Sequence, residues 1–142
     1  MLSLLATQNF DALHEKAGNS PDLIVDLHGT IGTSHCMRCH AEYRTSQIMD
    51  NLDREPDPHC HRHLPYRAGE ICNGLIKTDV VYFGEALPDG AMEKSMRAVV
   101  KSDALWVIGS TLEVFPAASL VPIAAQAGVP ITIMTMGRTQ YD

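Results

Sequence analysis

The sequence predicts an α/β protein: a doubly wound parallel sheet interrupted by a small inserted metal-binding module. Two observations carry that expectation. Five short, almost continuously apolar runs alternate with helix-like patterns, the arrangement of parallel strands covered on both faces. A polar stretch from Thr33 to Thr78 then breaks the rhythm and holds all four cysteines and five of the seven histidines.

In chain order, Leu2–Ala6 reads as the first strand and Asn9–Ala17 as a helix, with Phe10, Leu13 and Ala17 on one side and Gly18 as its stop. Leu23–Leu27 is the second strand. Val80–Phe83 is the third, and Pro88-Asp89 introduces a helix turning Met92, Met96, Val99 and Val100 inward. Ala104–Ile108 and Ile131–Met134 are the last two strands. Between them Pro116 opens a helix that runs to Gly128 and bends at Pro122. Leu2 to Ala6 already reads as a buried strand, with nothing before it to pair with or cover it. That predicts part of an enzyme rather than a whole one. The expected division is 1–32 and 79–142 for the sheet and 33–78 for the module.

Composition narrows the function classes. With 45% hydrophobic residues the chain can bury a core. Eleven Lys+Arg against 17 Asp+Glu give −6, which argues against a phosphate-backbone binder and hence against nucleic acid. No apolar run approaches the roughly 18 residues of a membrane span. The four cysteines therefore point to a reducing cytoplasm and to metal binding rather than disulfides.

Between Thr33 and Thr78 only a short helix after Thr45-Ser46 (Ile48, Met49, Leu52) offers apolar mass. Such a segment needs a staple, and a metal supplies one. Cys36-Met37-Arg38-Cys39 is a CxxC knuckle that aims two thiolates at one tetrahedral ion. Cys60 and Cys72 offer a second pair, although eleven residues separate them. His63, in Cys60-His61-Arg62-His63, is a rival fourth ligand. A closed structural zinc site is expected.

Chemistry is expected at the strand ends, where open α/β sheets build their sites. His28 follows the second strand and precedes Gly29, which lets the backbone turn and a ligand approach. A histidine there can act as a general base near neutral pH. Gln8, Asn9 and Asp11 follow the first strand and serve equally well as ligand contacts or helix caps. Val107-Ile108-Gly109-Ser110-Thr111 is a strand, a glycine turn and two hydroxyls suited to a phosphate or ribose.

Taken in order, these pieces resemble the sirtuins, NAD-dependent protein deacylases. The match runs through Thr7-Gln8-Asn9-Phe10-Asp11, Leu27-His28-Gly29, the four cysteines, Val80 to Pro88, Val107 to Thr111, and Val114-Phe115-Pro116-Ala117-Ala118. The resemblance implies a Rossmann-like sheet and a reaction in which acyl-lysine and NAD give free lysine, nicotinamide and O-acyl-ADP-ribose. It implies His28 as the general base that activates the ribose hydroxyls. Gln8, Asn9 and Asp11 become contacts to the ribose and nicotinamide of NAD, and Gly109, Ser110 and Thr111 contacts to its adenosine half. Phe83, Gly84, Glu85 and Val114 become the wall that pairs with an acyl-lysine protein or peptide, Val81 and Phe83 lining the tunnel for the lysine stem. Zinc falls to Cys36, Cys39, Cys60 and Cys72, because Cys72 is followed by Asn73-Gly74-Leu75-Ile76-Lys77 as the family's fourth cysteine is.

The family also opens with a glycine-rich strand-turn-helix that cradles the NAD phosphates and continues beyond its last strand. Neither segment lies within these 142 residues, so the chain alone is expected to be inactive. Phe10 stands where the family has isoleucine, Thr78 where it has proline and Thr135 where it has asparagine. Glu113 places a carboxylate beside the peptide cleft, which favours basic residues near the acyl-lysine. Two other readings stay open: a non-catalytic, zinc-stabilised interaction module, and a protein ADP-ribosyltransferase.

Overall fold

A computed structural model describes residues 1–67 and 69–142. Two parallel strand pairs form the α/β part. The first joins β1 (Leu5–Thr7) to β2 (Ile24–Asp26), with Leu5 opposite Ile24 and Thr7 opposite Asp26. The second joins β6 (Leu105–Ile108) to β7 (Ile131–Met134). Strands β2, β6 and β7 lie within their predicted runs, but β1 begins at Leu5 rather than Leu2, and Leu2 and Ala6 are exposed instead of buried. The second pair is covered on one face only, since Trp106 and Ile108 are exposed. Helices α3 (Ala91–Lys101) and α4 (Leu120–Gln126) pack together through Val99, Leu120, Ala124 and Val129. Val25 and Leu27 pack with Ala91 of α3 and with Ala117, just before α4, and these contacts anchor the strand that leads to His28.

The local departures from expectation have identifiable causes. The first helix, α1, is only Leu13–Lys16, because Ala12 takes a left-handed φ of 57° that breaks continuity with Asn9. Phe10 and Leu13 are consequently exposed rather than packed in a core. In α3 the inward face is Ala91, Ser95 and Val99, with Met92 and Met96 partly buried, whereas Val100 is exposed. Ser95 is tolerated inside because its hydroxyl donates to the Ala91 carbonyl at 2.8 Å. The third helix begins as a 3-10 turn, Ala117–Ser119. Pro122 sits in the first turn of α4, where a missing N–H costs little.

The largest departure is at Val80–Phe83. Strand β5 is Ile76–Val80 and runs antiparallel to β3 (Gly29–Cys36), which also pairs with β4 (Glu42–Arg44). Residues 82–85 close a turn instead. The Tyr82 N–H donates to Glu85 Oε2 at 2.9 Å and the Glu85 N–H to the Tyr82 carbonyl at 3.0 Å. The three-stranded sheet with α2 (Thr45–Met49) forms the cysteine-bearing module. Strands β3 and β5 connect it to the α/β part at Gly29 and Val80, directly beside His28.

Gly29 is the tightest point of that junction. Its φ is +70°, and a Cβ there would lie 1.8 Å from the Asp79 carbonyl oxygen. Gly29→Ala is expected to destabilise the chain by about 2 kcal/mol and to disturb the adjacent His28 turn. Chemical denaturation with far-UV circular dichroism measures the loss.

Candidate active site and thiol cluster

His28 stands half-buried in the turn after β2. Main-chain bonds fix that turn from both sides: the Leu27 N–H donates to the Thr7 carbonyl, and the Val81 N–H to the His28 carbonyl, each at 2.9 Å. The His28 ring makes no hydrogen bond among the described residues, which leaves both nitrogens for a ligand. The ends of β1 and β6 meet beside this region, where Ser110 Oγ donates to Gln8 Oε1 at 3.2 Å. Ser110 Oγ also accepts the Leu112 N–H at 3.2 Å. No ladder bond joins β1 to β6 among the described residues, so this side-chain contact links the two strand pairs. Gly109, with φ +69°, has nothing within 4 Å of where a Cβ would stand.

The other sequence-predicted contacts are arranged differently. Asp11 Oδ1 accepts the Leu13 N–H at 3.0 Å, and the Asn9 N–H donates to Thr7 Oγ1 at 3.0 Å. Asp11 therefore closes a local turn just before α1 rather than capping it, the N-cap position being Ala12 with no side-chain cap. Thr111 is exposed. On the facing side, Phe83 is 99% exposed and Val114 40%, Gly84 has φ +90°, and Val81 is held through the His28 carbonyl. Glu85 forms a 3.0 Å ion pair with Lys77. The Tyr82 N–H and then Lys77 hold its carboxyl below the ordinary range. Lys77, which sequence reading passed over, also lies 4.8 Å from the Tyr82 ring centroid and so braces this turn.

A cleft of about 600 Å³ opens beside β2 and the start of α3, bordered by Asp26, Thr30, Asp79, Lys94 and Arg97. It does not include His28. Burial raises the Asp26 carboxyl above its ordinary value, Glu15 adds to the rise, and His14 opposes it. A carboxyl raised by folding is a penalty on its charged form. Stability is greatest below the unfolded value, near pH 4, and falls as pH rises through the folded value. Asp26→Asn is thus expected to raise Tm at pH 7 and to leave it unchanged at pH 3, read by calorimetry at both.

The four cysteines converge. Their sulfurs all lie within 4.8 Å of one another. Cys36 Sγ is 3.6 Å from Cys72 Sγ, and Cys39 Sγ is 3.6 Å from Cys60 Sγ. Zinc–sulfur bonds of about 2.3 Å in a tetrahedron require sulfurs about 3.8 Å apart, so the donor set fits zinc. Cys36, Cys60 and Cys72 have no exposed surface, which suits a closed structural site. His63 is exposed and outside the cluster; its backbone bridges Ile71.

Three neighbours whose contacts the sequence did not disclose complete this site. Tyr43 Oη donates to Cys60 Sγ at 3.0 Å, and the Arg38 N–H donates to Cys36 Sγ at 3.3 Å. Arg38 also reaches the Cys72 carbonyl through its guanidinium at 2.5 Å. A Cβ on Gly74 would stand 2.7 Å from Cys36 Sγ, so glycine is required there. Burial pushes the Cys36 thiol up, but the Cys39 and Arg38 N–H groups and the adjoining thiols bring it down to about 7. Burial pushes the Cys72 thiol up to about 12, where the surrounding thiols help hold it. Without metal the cluster thus keeps protons that zinc must displace, and zinc affinity falls as pH drops.

Comparison with known proteins agrees with this arrangement. A family model described as the Sir2 family matches residues 1–116. The NAD-dependent protein deacetylase of Thermotoga maritima is 31% identical over 142 residues, covering 100% of this chain and 53% of that protein. The NAD-dependent protein deacetylase of Thermodesulfovibrio yellowstonii is 33% identical over 143 residues, covering 100% and 52%. A solved structure described as Sir2 with a p53 peptide and NAD+ superposes with a TM-score of 0.87 at 32% identity, covering 98% of this chain and 53% of that one. Another, Sir2Tm bound to a propionylated peptide, gives 0.87 at 32%, covering 98% and 54%. The chain spans about half the length of the curated relatives it matches. Both the family model and the shared Rossmann-like α/β architecture run through the His28 turn and the thiol module, and on that ground the chain belongs to the Sir2 family.

Proposed function

We propose that this chain is the part of an NAD-dependent protein-lysine deacylase that supplies its general base, part of its cofactor site and its structural zinc module. The observation that carries the reading is the His28 turn, fixed by Thr7 and Val81 and opening beside the Gln8–Ser110 contact. In the reaction, acyl-lysine, NAD and one water give free lysine, nicotinamide and O-acyl-ADP-ribose. His28 Nε2 or Nδ1 accepts a proton from a ribose hydroxyl, and the main-chain bonds on either side keep the ring oriented for it. Gln8, Asn9, Gly109, Ser110 and Thr111 line the approach for the cofactor, with Asp11 setting the local backbone. An acyl-lysine peptide adds as an extended segment between residues 81–85 and 113–114, where main-chain groups tolerate varied sequences. Most of the rate gain then comes from positioning.

We assign the four thiolates to a structural zinc that holds the 33–78 module and has no place in the proton transfer. The reading divides the chain into 1–32 and 79–142, which carry the chemistry, and that module between them. Free cysteines in this number favour a reducing compartment, and we propose the cytoplasm. No helix among the described residues is long and apolar enough to cross a membrane.

Relatives matched along the whole of this chain are about twice its length. The pyrophosphate cradle that the sirtuin resemblance calls for is absent from its sequence. The 142 residues alone are therefore expected to bind zinc but not to turn NAD over, whereas the same residues preceded by a glycine-rich strand-turn-helix do so. A nicotinamide-release assay with an acetyl-lysine peptide on both proteins tests this. Equal turnover by the two would contradict the assignment of half the cofactor site to the added segment.

A further inference from the structure

Strands β3 and β5 change register partway along their pairing. Thr30 lies opposite Asp79 and Ser34 opposite Thr78, so residues 31–33 have no partner on β5 and bulge out of the ladder. Bulges of this kind re-aim the chain beside functional sites. Thr33, at the far end, pairs instead with Arg44 of β4. The Ile31 N–H leaves the sheet and donates to the Phe10 carbonyl at 2.9 Å. Phe10 lies in the loop that carries Gln8, Asn9 and Asp11. The Asn9–Thr7 and Leu13–Asp11 bonds are internal to that segment. The bond from Ile31 is the one main-chain bond among the described residues that ties 9–12 to another part of the fold.

Asp79 holds the bulge at both ends. At its start the Asp79 carbonyl packs against Gly29 so closely that no Cβ fits there. At its end Asp79 Oδ2 accepts the Thr33 hydroxyl, and Oδ1 is bonded to His35 Nδ1. Thr33 and His35 are two apart on β3 and share one face, so a single carboxylate spans both. The Asp79 and His35 side chains are 29% and 35% exposed, and a pair so close to water adds little to stability. What it fixes is the path of the chain. With Thr33 released, residues 31–33 are free to relax, and the Ile31 N–H loses its aim at Phe10.

We infer that Asp79 is a positioning residue for the cofactor: through Thr33 it sets the 31–33 bulge, and through Ile31 the bulge holds the loop of Gln8, Asn9 and Asp11. It acts through these neighbours rather than by touching NAD. The inference rests on the proposed reading in which that loop meets the ribose and nicotinamide of NAD.

Two readouts test it. In the zinc-loaded 142-residue chain, hydrogen exchange followed by NMR is expected to show the Ile31 amide exchanging about tenfold faster in Thr33→Val and in Asp79→Ala, the scale of one hydrogen bond to a charged group. The Leu27 and Met37 amides, bonded elsewhere, are expected to be unchanged. In the protein extended to the length of its relatives, the same variants are expected to raise KM for NAD about tenfold. There kcat and the KM for an acetyl-lysine peptide stay as in the parent. Thr33→Ser, which keeps the hydroxyl, is expected to behave as the parent in both. Thr33 is exposed and valine matches its shape, so Thr33→Val decides the matter if Asp79→Ala fails to fold. Unchanged Ile31 exchange in Thr33→Val overturns the inference, as does an unchanged KM for NAD in an active protein. A parent without NAD-dependent turnover overturns the deacylase reading and the cofactor role with it, whereas an active parent with unaltered variants overturns this inference alone.

Discussion

In a protein extended to the length of its relatives, His28→Ala is expected to lower deacylation about a hundredfold or more, with NAD binding retained. The magnitude is that of a lost general base. The selectivity follows from where His28 sits. Its main chain is held by Leu27–Thr7 and Val81 bonds that an alanine keeps, so the turn, the strand ends and the Gln8–Ser110 contact all survive. Only the proton acceptor disappears. Single-turnover kinetics with an acetyl-lysine peptide, beside calorimetric titration of NAD, separates the two effects. Turnover within a few-fold of the parent protein would make His28 a structural residue and remove the proposed mechanism.

Cys72→Ser is expected to release zinc and unfold the module while leaving the α3–α4 core intact. The module's buried cluster consists of Cys36, Ala41, Cys60 and Cys72, with few partly buried apolar neighbours. Metal supplies what that small core lacks, about 10 kcal/mol or more in comparable structural sites. His63→Ala is expected to change neither metal content nor fold, because His63 is exposed and outside the cluster. Atomic absorption together with near-UV circular dichroism of the two variants distinguishes the assignments. Zinc kept by the Cys72 variant and lost by the His63 variant would reverse them.

What the sequence disclosed was mainly what periodicity and ligand spacing encode. The β6 and β7 strands lie on mostly apolar runs, and the CxxC knuckle announces a thiol cluster fit for a metal. The cluster also took its two distant members, although eleven residues separate Cys60 from Cys72. The misread parts turn on local backbone choices that side-chain pattern does not carry. Asn9–Ala17 has helical spacing, yet the left-handed Ala12 cuts it to one turn. Val80–Phe83 is apolar enough for a parallel strand, yet Glu85 caps the Tyr82 turn and the strand lies earlier, against β3. Tyr43 was illegible as part of the thiol site because nothing in its spacing connects it to the cysteines, and Arg38 and Gly74, although close to cysteines in sequence, carry no pattern that tells their contacts with Cys72 and Cys36. Asn73-Gly74 following a cysteine was the one available signal.

In the proposed reaction His28 serves a transfer of the acyl group to the ribose of NAD. Mass spectrometry of the products is the most direct measurement, using the extended protein with NAD and a peptide whose acetyl-lysine carries an isotopic label. Labelled O-acetyl-ADP-ribose and nicotinamide are expected in equal amounts, both dependent on the peptide. Labelled free acetate with NAD untouched, or ADP-ribose attached to protein with the acetyl-lysine intact, would contradict it.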